Sequence, residues 1–442
     1  MDMHTTHRRS LMSRLPDGLI LISGGSERLR NRDTGIVFRQ DSNFLYLTGV
    51  SEADCLLLLD PKRRRSTLLV PRIDNTHRVW LGDVPGPAEF RAACGIERAA
   101  YADALPGLLK QARKGYRKAY ADQAAWKRCR AKLRGLQNRP DILLDALDEL
   151  RAVKDAGEIN LLKQASRVAA QAHIAAMKTA RAGMREYEVQ ADFEAFSARA
   201  GMRHMAFPTI VASGRGSATL HYTKNGAVLR AGDLLLLDGG CELDGYAADI
   251  TRTYPVSARF TRRQADVYSV VLQAQKDCIA MTRAGISSID LQLRAMRTLA
   301  DGLKSLKLLR GDTDGLLENG AVRLFFPHGI GHLLGLDVHD GAGGKRRQLP
   351  NPRKVPIRFM AKLEPGFAFT VEPGIYFIKA LLCDPENSRK HRASVDFTRA
   401  RTYLDFGGIR IEDDLVVTPK GSINLTSVPK EIRDIEEIRR RA

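Results

Sequence analysis

No stretch of this 442-residue chain stays apolar for the roughly 18–20 residues that a bilayer-spanning helix needs. Cysteine is sparse. Its six copies, Cys55, Cys94, Cys129, Cys241, Cys278 and Cys383, are scattered without CxxC spacing. That excludes a disulfide framework and a thiolate zinc site, and Cys241 reads as a small buried hydrophobe. Gly329, Gly331 and Gly335 do not form GxGxxG, so no dinucleotide site is assigned. His328 and His332 have the spacing of a helical zinc pair, but glycines lie between them and no Glu follows the first. A zincin is excluded, and an extended or looping segment is expected. There is no internal repeat and no low-complexity tract.

Negative charge is in short supply: 51 acidic against 70 basic residues give a formal charge of +19. The basic clusters, such as Lys62-Arg63-Arg64-Arg65 and Lys345-Arg346-Arg347, lack aromatic interleaving. They read as solvated surface, with no nucleic-acid partner expected. Leu19-Ile20-Leu21-Ile22 follows a basic start. It is too short for a signal-peptide core and reads as a buried strand, so a cytoplasmic protein without membrane partners is expected.

The length suggests two or three domains. Residues 15–150 alternate strand-like runs (Leu19–Ile22, Cys55–Leu59, Ser66–Val70) with helical ones (Ala104–Arg113, Ala124–Arg134), an α/β pattern. A polar segment at Arg151–Glu158 divides a smaller domain, 1–152, from a larger one, 153–442. The larger one opens with helices at Ile159–Ala182 and Glu188–Ala200. Strands are expected at Met205–Ser213, Asp233–Cys241, Tyr246–Tyr254, Phe367–Glu372 and Gly408–Thr418, and long helices at Arg263–Thr282 and Ser288–Leu308. Such blocks predict an α+β fold with helices over one face of a largely antiparallel sheet. The polar stretches 341–360 and 378–405 are candidate substrate-binding loops.

Five side chains stand out: Asp238, Asp249, His332, Glu372 and Glu412. Each sits in an apolar or Gly-rich run, where a lone charge is expensive unless paired or bound to metal. Four negative charges match two divalent cations, which together can activate water for hydrolysis. Asp244-Gly245 is a hairpin signal midway between Asp238 and Asp249, so these two carboxylates are expected to face each other across two neighbouring strands. Ile409 and Ile411 alternate with Arg410 and Glu412. Glu372 is fixed at a strand end by Pro373-Gly374. Singly, each glutamate is better explained by structure than by catalysis; the set is what points to chemistry. His221, His328 and His339 can hydrogen-bond a carbonyl or carry a proton near such a centre.

In this order and with these flanks the five residues resemble the ligands of the pita-bread metallopeptidases, in their proline-specific branch. The carrying stretches are DGGCELDGYAADITRTYPV, FFPHGIGHLLGLDVHD, TVEPGIYF and GGIRIEDDLVVT. FRQDSNFLYLTGV, Phe38 to Val50, is similar to the creatinase-like N-terminal domain of that branch. The resemblance implies a pita-bread catalytic domain after a smaller α/β creatinase-like one. It also implies roles. Asp238 holds one metal, Asp249 and Glu412 bridge both, and His332 and Glu372 complete the second. Glu372 also takes the proton of the attacking water. His221, His339 and His328 serve the substrate and the intermediate, with Arg410 and Tyr376 as further substrate contacts.

Two activities share this framework, and the stretch PIRFMAKLEPGFAFTVEPGIYFIKALL resembles the dipeptidases that split Xaa-Pro dipeptides. There the arginine matching Arg358 grips the substrate carboxylate, a task suited to a guanidinium fork. A second arginine common in that branch is absent; Ala361 and Lys362 stand there. Trp80 resembles a tryptophan that approaches a partner subunit's active site, which implies a homodimer. The leading expectation is a dinuclear Xaa-Pro dipeptidase acting on proline-containing dipeptides or short peptides. The alternative is an aminopeptidase releasing the residue before proline from longer peptides. A remote third is a non-catalytic pita-bread binding protein. Oxygen-rich ligands with one imidazole suit Mn2+, with Co2+ or Zn2+ as alternatives.

Overall fold

The computed structural model describes residues 2–440 apart from 342 and 353. The chain divides into two compact units, Met1–Arg151 and Ala152–Ala442.

The first unit is built on a six-stranded sheet. Its order is Arg98–Tyr101, Arg65–Val70, Leu56–Asp60, Gly18–Ser23, Lys118–Ala121 and Gln137–Asn138. Gly18–Ser23 pairs antiparallel with Leu56–Asp60 and parallel with Lys118–Ala121. These central strands are continuous apolar runs because both faces are covered; Leu19, Leu21, Leu56, Leu58 and Leu69 share one core cluster. The helix expected at Ala124–Arg134 ends sooner, spanning Gln123–Cys129 from an Asp122 cap. The basic start of the chain forms a helix, Met3–Arg14. Its Arg8 is buried and donates to the carbonyls of Leu47, Cys94 and Gly95, so this charge is not solvated.

In the second unit every named strand pairing is antiparallel. The helix Ala156–Thr179 starts at a capping box of Asp155 and Glu158. Its small buried residues, among them Ala165, Ala169 and Ala172, let it pack closely on the strands Cys241–Leu243 and Tyr246–Ala247. The helices Arg262–Met281 and Ser288–Ser305 pack on each other.

Several strands that read as continuous are broken. Asp233–Cys241 divides into Leu234–Gly239 and Cys241–Leu243. The joint is Gly240, where a Cβ would lie 1.7 Å from the Ala248 carbonyl oxygen; only glycine allows that approach. Tyr246–Tyr254 divides into Tyr246–Ala247 and Ile250–Pro255, with Asp249 at the gap. Gly408–Thr418 divides into Gly408–Arg410 and Asp413–Val417, with Glu412 at the gap. Ala368–Val371 stops before Glu372 and Pro373, and Gly374–Tyr376 follows. Asp249, Glu372 and Glu412 thus stand at strand breaks, whereas Asp238 stays within its strand.

The stretch 378–405 forms short helices at Lys379–Leu382, Pro385–Lys390 and Phe397–Arg401. Tyr403 stacks on Phe377, with ring centroids 4.5 Å apart.

Candidate active site

A cavity of about 330 Å³ opens in the second unit. Asp238, Asp249, His332, Glu372, Glu412, His221, His328, His339, Arg358 and Arg410 all line it, with Phe207, Ile210, Leu220 and Val338 among the apolar wall residues.

Strand register sets the first pair. Asp238 pairs with Thr251 across the strands Leu234–Gly239 and Ile250–Pro255. Asp249 lies two residues before Thr251, so the two carboxylates are diagonal neighbours on one face rather than directly opposed. Thr251 also bridges the other way: its carbonyl accepts from Glu412 N at 3.0 Å, and its Oγ1 donates to Glu412 Oε2 at 2.7 Å. His332 comes from an extended segment alongside Ala368–Val371. Thr370 N donates to His332 O at 3.0 Å, and Glu372 N to Ile330 O at 2.8 Å. That pairing sets His332 and Glu372 side by side.

The side chains converge. His332 Nε2 lies 3.3 Å from Asp249 Oδ2 and 3.9 Å from Glu372 Oε1. Its Nδ1 lies 3.1 Å from the Leu333 carbonyl, which holds the ring with Nε2 turned toward the carboxylates. Ligand atoms of Asp249, His332 and Glu412 all lie within 4.8 Å of one another.

Charge is unbalanced. Arg410 is the cation among these carboxylates, 2.5 Å from Asp238 Oδ2 and 4.0 Å from Glu412 Oε2. Burial raises the Asp249 carboxyl well above its usual range, and the charges of Asp238, Asp414 and Glu372 add to the shift. Glu412 is raised well above its range by burial and then by Asp249 and Glu372. Glu372 is raised by burial, with His332 and Arg410 opposing. Asp238 Oδ1 is buried without a hydrogen bond. An anion-rich, oxygen-dominated pocket with one aligned imidazole and an unsatisfied carboxylate oxygen fits divalent cations.

Behind this layer, Asp414 accepts from Ser166 Oγ at 2.6 Å and from Asp249 N at 3.1 Å. Burial lifts its carboxyl to about 7. Thr251 and Asp414 were not singled out from the sequence. Thr251 shares the face of Asp249 by strand alternation, a signal that was there to use; the contacts of Asp414 depend on the helix Ala156–Thr179.

The histidines differ. His328 Nδ1 lies 3.4 Å from Glu372 Oε2, and its Nε2 is 2.8 Å from the Tyr376 hydroxyl. Burial, aided by Arg410, lowers it to about 3, so it is neutral at pH 7. His339 packs edge-on against His332 at 4.3 Å between ring centroids. Burial lowers it to about 4.

Tyr376 is fully buried and is not a wall residue of the cavity; its hydroxyl joins His328 to Arg410 at 2.8 and 3.0 Å, which makes it a support for those two. Arg410 does reach the cavity, but Asp238, Thr251 and Tyr376 hold its guanidinium. Its guanidinium is thereby directed at the carboxylate cluster. The stretch 378–405 contributes no residue to the cavity wall, because its aromatics turn into their own cluster. Among the described residues of 341–360, Arg358 alone lines the cavity. Trp80 lies on the helix Asn75–Leu81 of the first unit, 79% exposed.

Comparison with known proteins gives a consistent picture. Residues 160–419 match the model of metallopeptidase family M24, and residues 4–120 match the aminopeptidase P N-terminal domain. A probable Xaa-Pro aminopeptidase of Sordaria macrospora is 35% identical, the match covering 95% of this chain and 91% of the relative. Another from Colletotrichum graminicola is 35% identical, covering 96% and 93%. The solved structure of Pseudomonas aeruginosa aminopeptidase PepP superposes with a TM-score of 0.86 at 32% identity, covering 99% of this chain and 97% of that one. A variant of Escherichia coli aminopeptidase P in complex with substrate gives 0.85 at 31%, with the same coverage.

Proposed function

The chain belongs to metallopeptidase family M24, and on that premise we propose that it is an Xaa-Pro aminopeptidase, releasing the N-terminal residue that precedes proline from short peptides. The carrying observation is the buried cluster of four carboxylates and one imidazole at the cavity wall. The choice between the two activities rests on the relatives: those named above are Xaa-Pro aminopeptidases and aminopeptidases P, which displaces the dipeptidase as the leading reading.

Asp238, Asp249, His332, Glu372 and Glu412 would hold divalent cations, with manganese suited to the oxygen-rich donors. Bound there, such cations supply Lewis acidity and a water made nucleophilic near neutral pH. The residues do the rest. Glu372, its carboxyl raised by burial, takes a proton as water adds to the scissile carbonyl carbon. When the C–N bond breaks, that proton passes to the proline ring nitrogen, which has no N–H of its own and leaves poorly as an anion. That His221 and His339 line the cavity supports a role for them in hydrogen-bonding the carbonyl or the intermediate. Exposed apolar residues around Trp80 support a homodimer.

One observation keeps the second reading in view. Arg358 lines the cavity with no hydrogen bond or ion pair among the described residues, so its guanidinium is free to meet a terminal carboxylate. Side-by-side assay of an Xaa-Pro dipeptide and an Xaa-Pro-Xaa tripeptide with added manganese separates the two. The expected result is faster cleavage of the tripeptide. Cleavage confined to the dipeptide overturns the aminopeptidase and restores the dipeptidase.

A further inference from the structure

His221 lines the cavity, yet no hydrogen bond of its own holds it among the described residues. It lies in an irregular stretch after the turn Gly214–Ala218. Its neighbours explain how it is placed. His221 and Thr223 face the cavity, while Tyr222 between them packs against Ile210, Ala212 and Leu236. The Tyr222 hydroxyl donates to Glu186 Oε2 at 2.9 Å.

Glu186 opens the helix Glu186–Arg199 and is fully buried. It takes four neutral donors. Ser213 N and Ser213 Oγ reach Oε1, both at 2.7 Å. The Tyr222 hydroxyl and Ala227 N reach Oε2, both at 2.9 Å. An ionised carboxylate offers about four acceptor sites, so the group is filled, and its burial is tolerable for that reason. Its donors come from the end of the strand Ile210–Ser213 and from both sides of Thr223. One carboxylate thereby ties the stretch around His221 to the wall strand. Asn225 adds a second tie, accepting from Val211 N and donating to the Thr209 carbonyl.

We infer that Glu186 and Tyr222 are positioning residues that fix His221 against the cavity. The inference rests on the peptidase reading for its catalytic consequence, but the placement itself does not. Tyr222→Phe removes one hydroxyl and keeps the packed ring, so the fold is expected to survive.

A double-mutant cycle on the manganese-loaded full chain is the test. Tyr222→Phe should lower kcat on an Xaa-Pro-Xaa peptide about tenfold, the scale of a misplaced catalytic contact. KM and manganese content should hold. In a His221→Ala background the same change should have no further effect. Equal losses in both backgrounds, or lost manganese, overturn the inference. Hydrogen exchange of backbone amides over 219–228 gives a readout free of any substrate. It should quicken in Tyr222→Phe and more so in Glu186→Gln. Unchanged exchange in both overturns the placement claim, whereas quickened exchange in a chain that cleaves no Xaa-Pro peptide upholds the placement and sinks only the peptidase reading.

Discussion

Glu412 and Asp413 are neighbours in the chain, both are buried, and their acidities move in opposite directions. Burial would raise Asp413, but Arg252 and Lys430 outweigh it and hold the carboxyl below its usual range. Arg252 lies 2.7 Å and Lys430 2.5 Å away, and Asn424 donates at 2.7 Å. Glu412 is raised by burial, and then by Asp249, Glu372 and Asp238, with Arg410 in opposition. Strand alternation sends the two side chains to opposite sides. One side is a closed ion-pair network. The other gathers four carboxylates around one arginine. A buried carboxylate whose cationic partners more than match its charge serves the fold; a cluster that leaves a deficit of positive charge is suited to hold cations.

The contrast can be broken from either side. Asp249→Asn should act most strongly, lowering turnover by about a thousandfold or more with a matching fall in bound metal. Full activity in that variant would remove the metal-centre reading. Asp413→Asn should act on the fold instead. Breaking a buried pair leaves Arg252 uncompensated and costs about 3–5 kcal/mol, seen in a denaturant melt, while metal bound per folded chain should hold. Metal loss without loss of stability would erase the distinction between the two sides.

The smallest effect is the dependence on pH. Asp249 and Glu412 have folded pKa values raised above their unfolded ones. Above the unfolded carboxylate range the folded state therefore binds more protons, and stability falls as pH rises toward the folded values. Divalent cations oppose that fall. The gain in melting temperature on adding manganese should therefore be larger at pH 7.5 than at pH 5.5. Asp413 runs the other way: its contribution is complete above the unfolded range and is lost as pH falls through its lowered value. A manganese gain equal at both pH values would show that the carboxylate cluster is not where the metal acts.

Much of this site was legible in the sequence because its residues interrupt apolar runs. Asp238 closes four leucines, and the Asp244-Gly245 turn, with both residues at positive φ, identifies the hairpin. The register differs by two residues, since Asp238 meets Thr251 rather than Asp249, and alternation therefore keeps both on one face. The breaks at Gly240 and around Glu412 were not legible. They depend on how closely a second strand approaches, which no local pattern encodes. Polarity misled at 378–405, whose charges cover an aromatic cluster rather than a substrate path. The identity of the peptide substrate is the least legible feature, because one exposed arginine, Arg358, carries the resemblance to dipeptidases while the near relatives bear the aminopeptidase name.

Anomalous diffraction at the manganese edge, from crystals of the manganese-loaded chain, tests the centre of this reading. Two peaks enclosed by Asp238, Asp249, His332, Glu372 and Glu412 are expected. Density with no ion among those five, or with manganese bound only elsewhere, would contradict it.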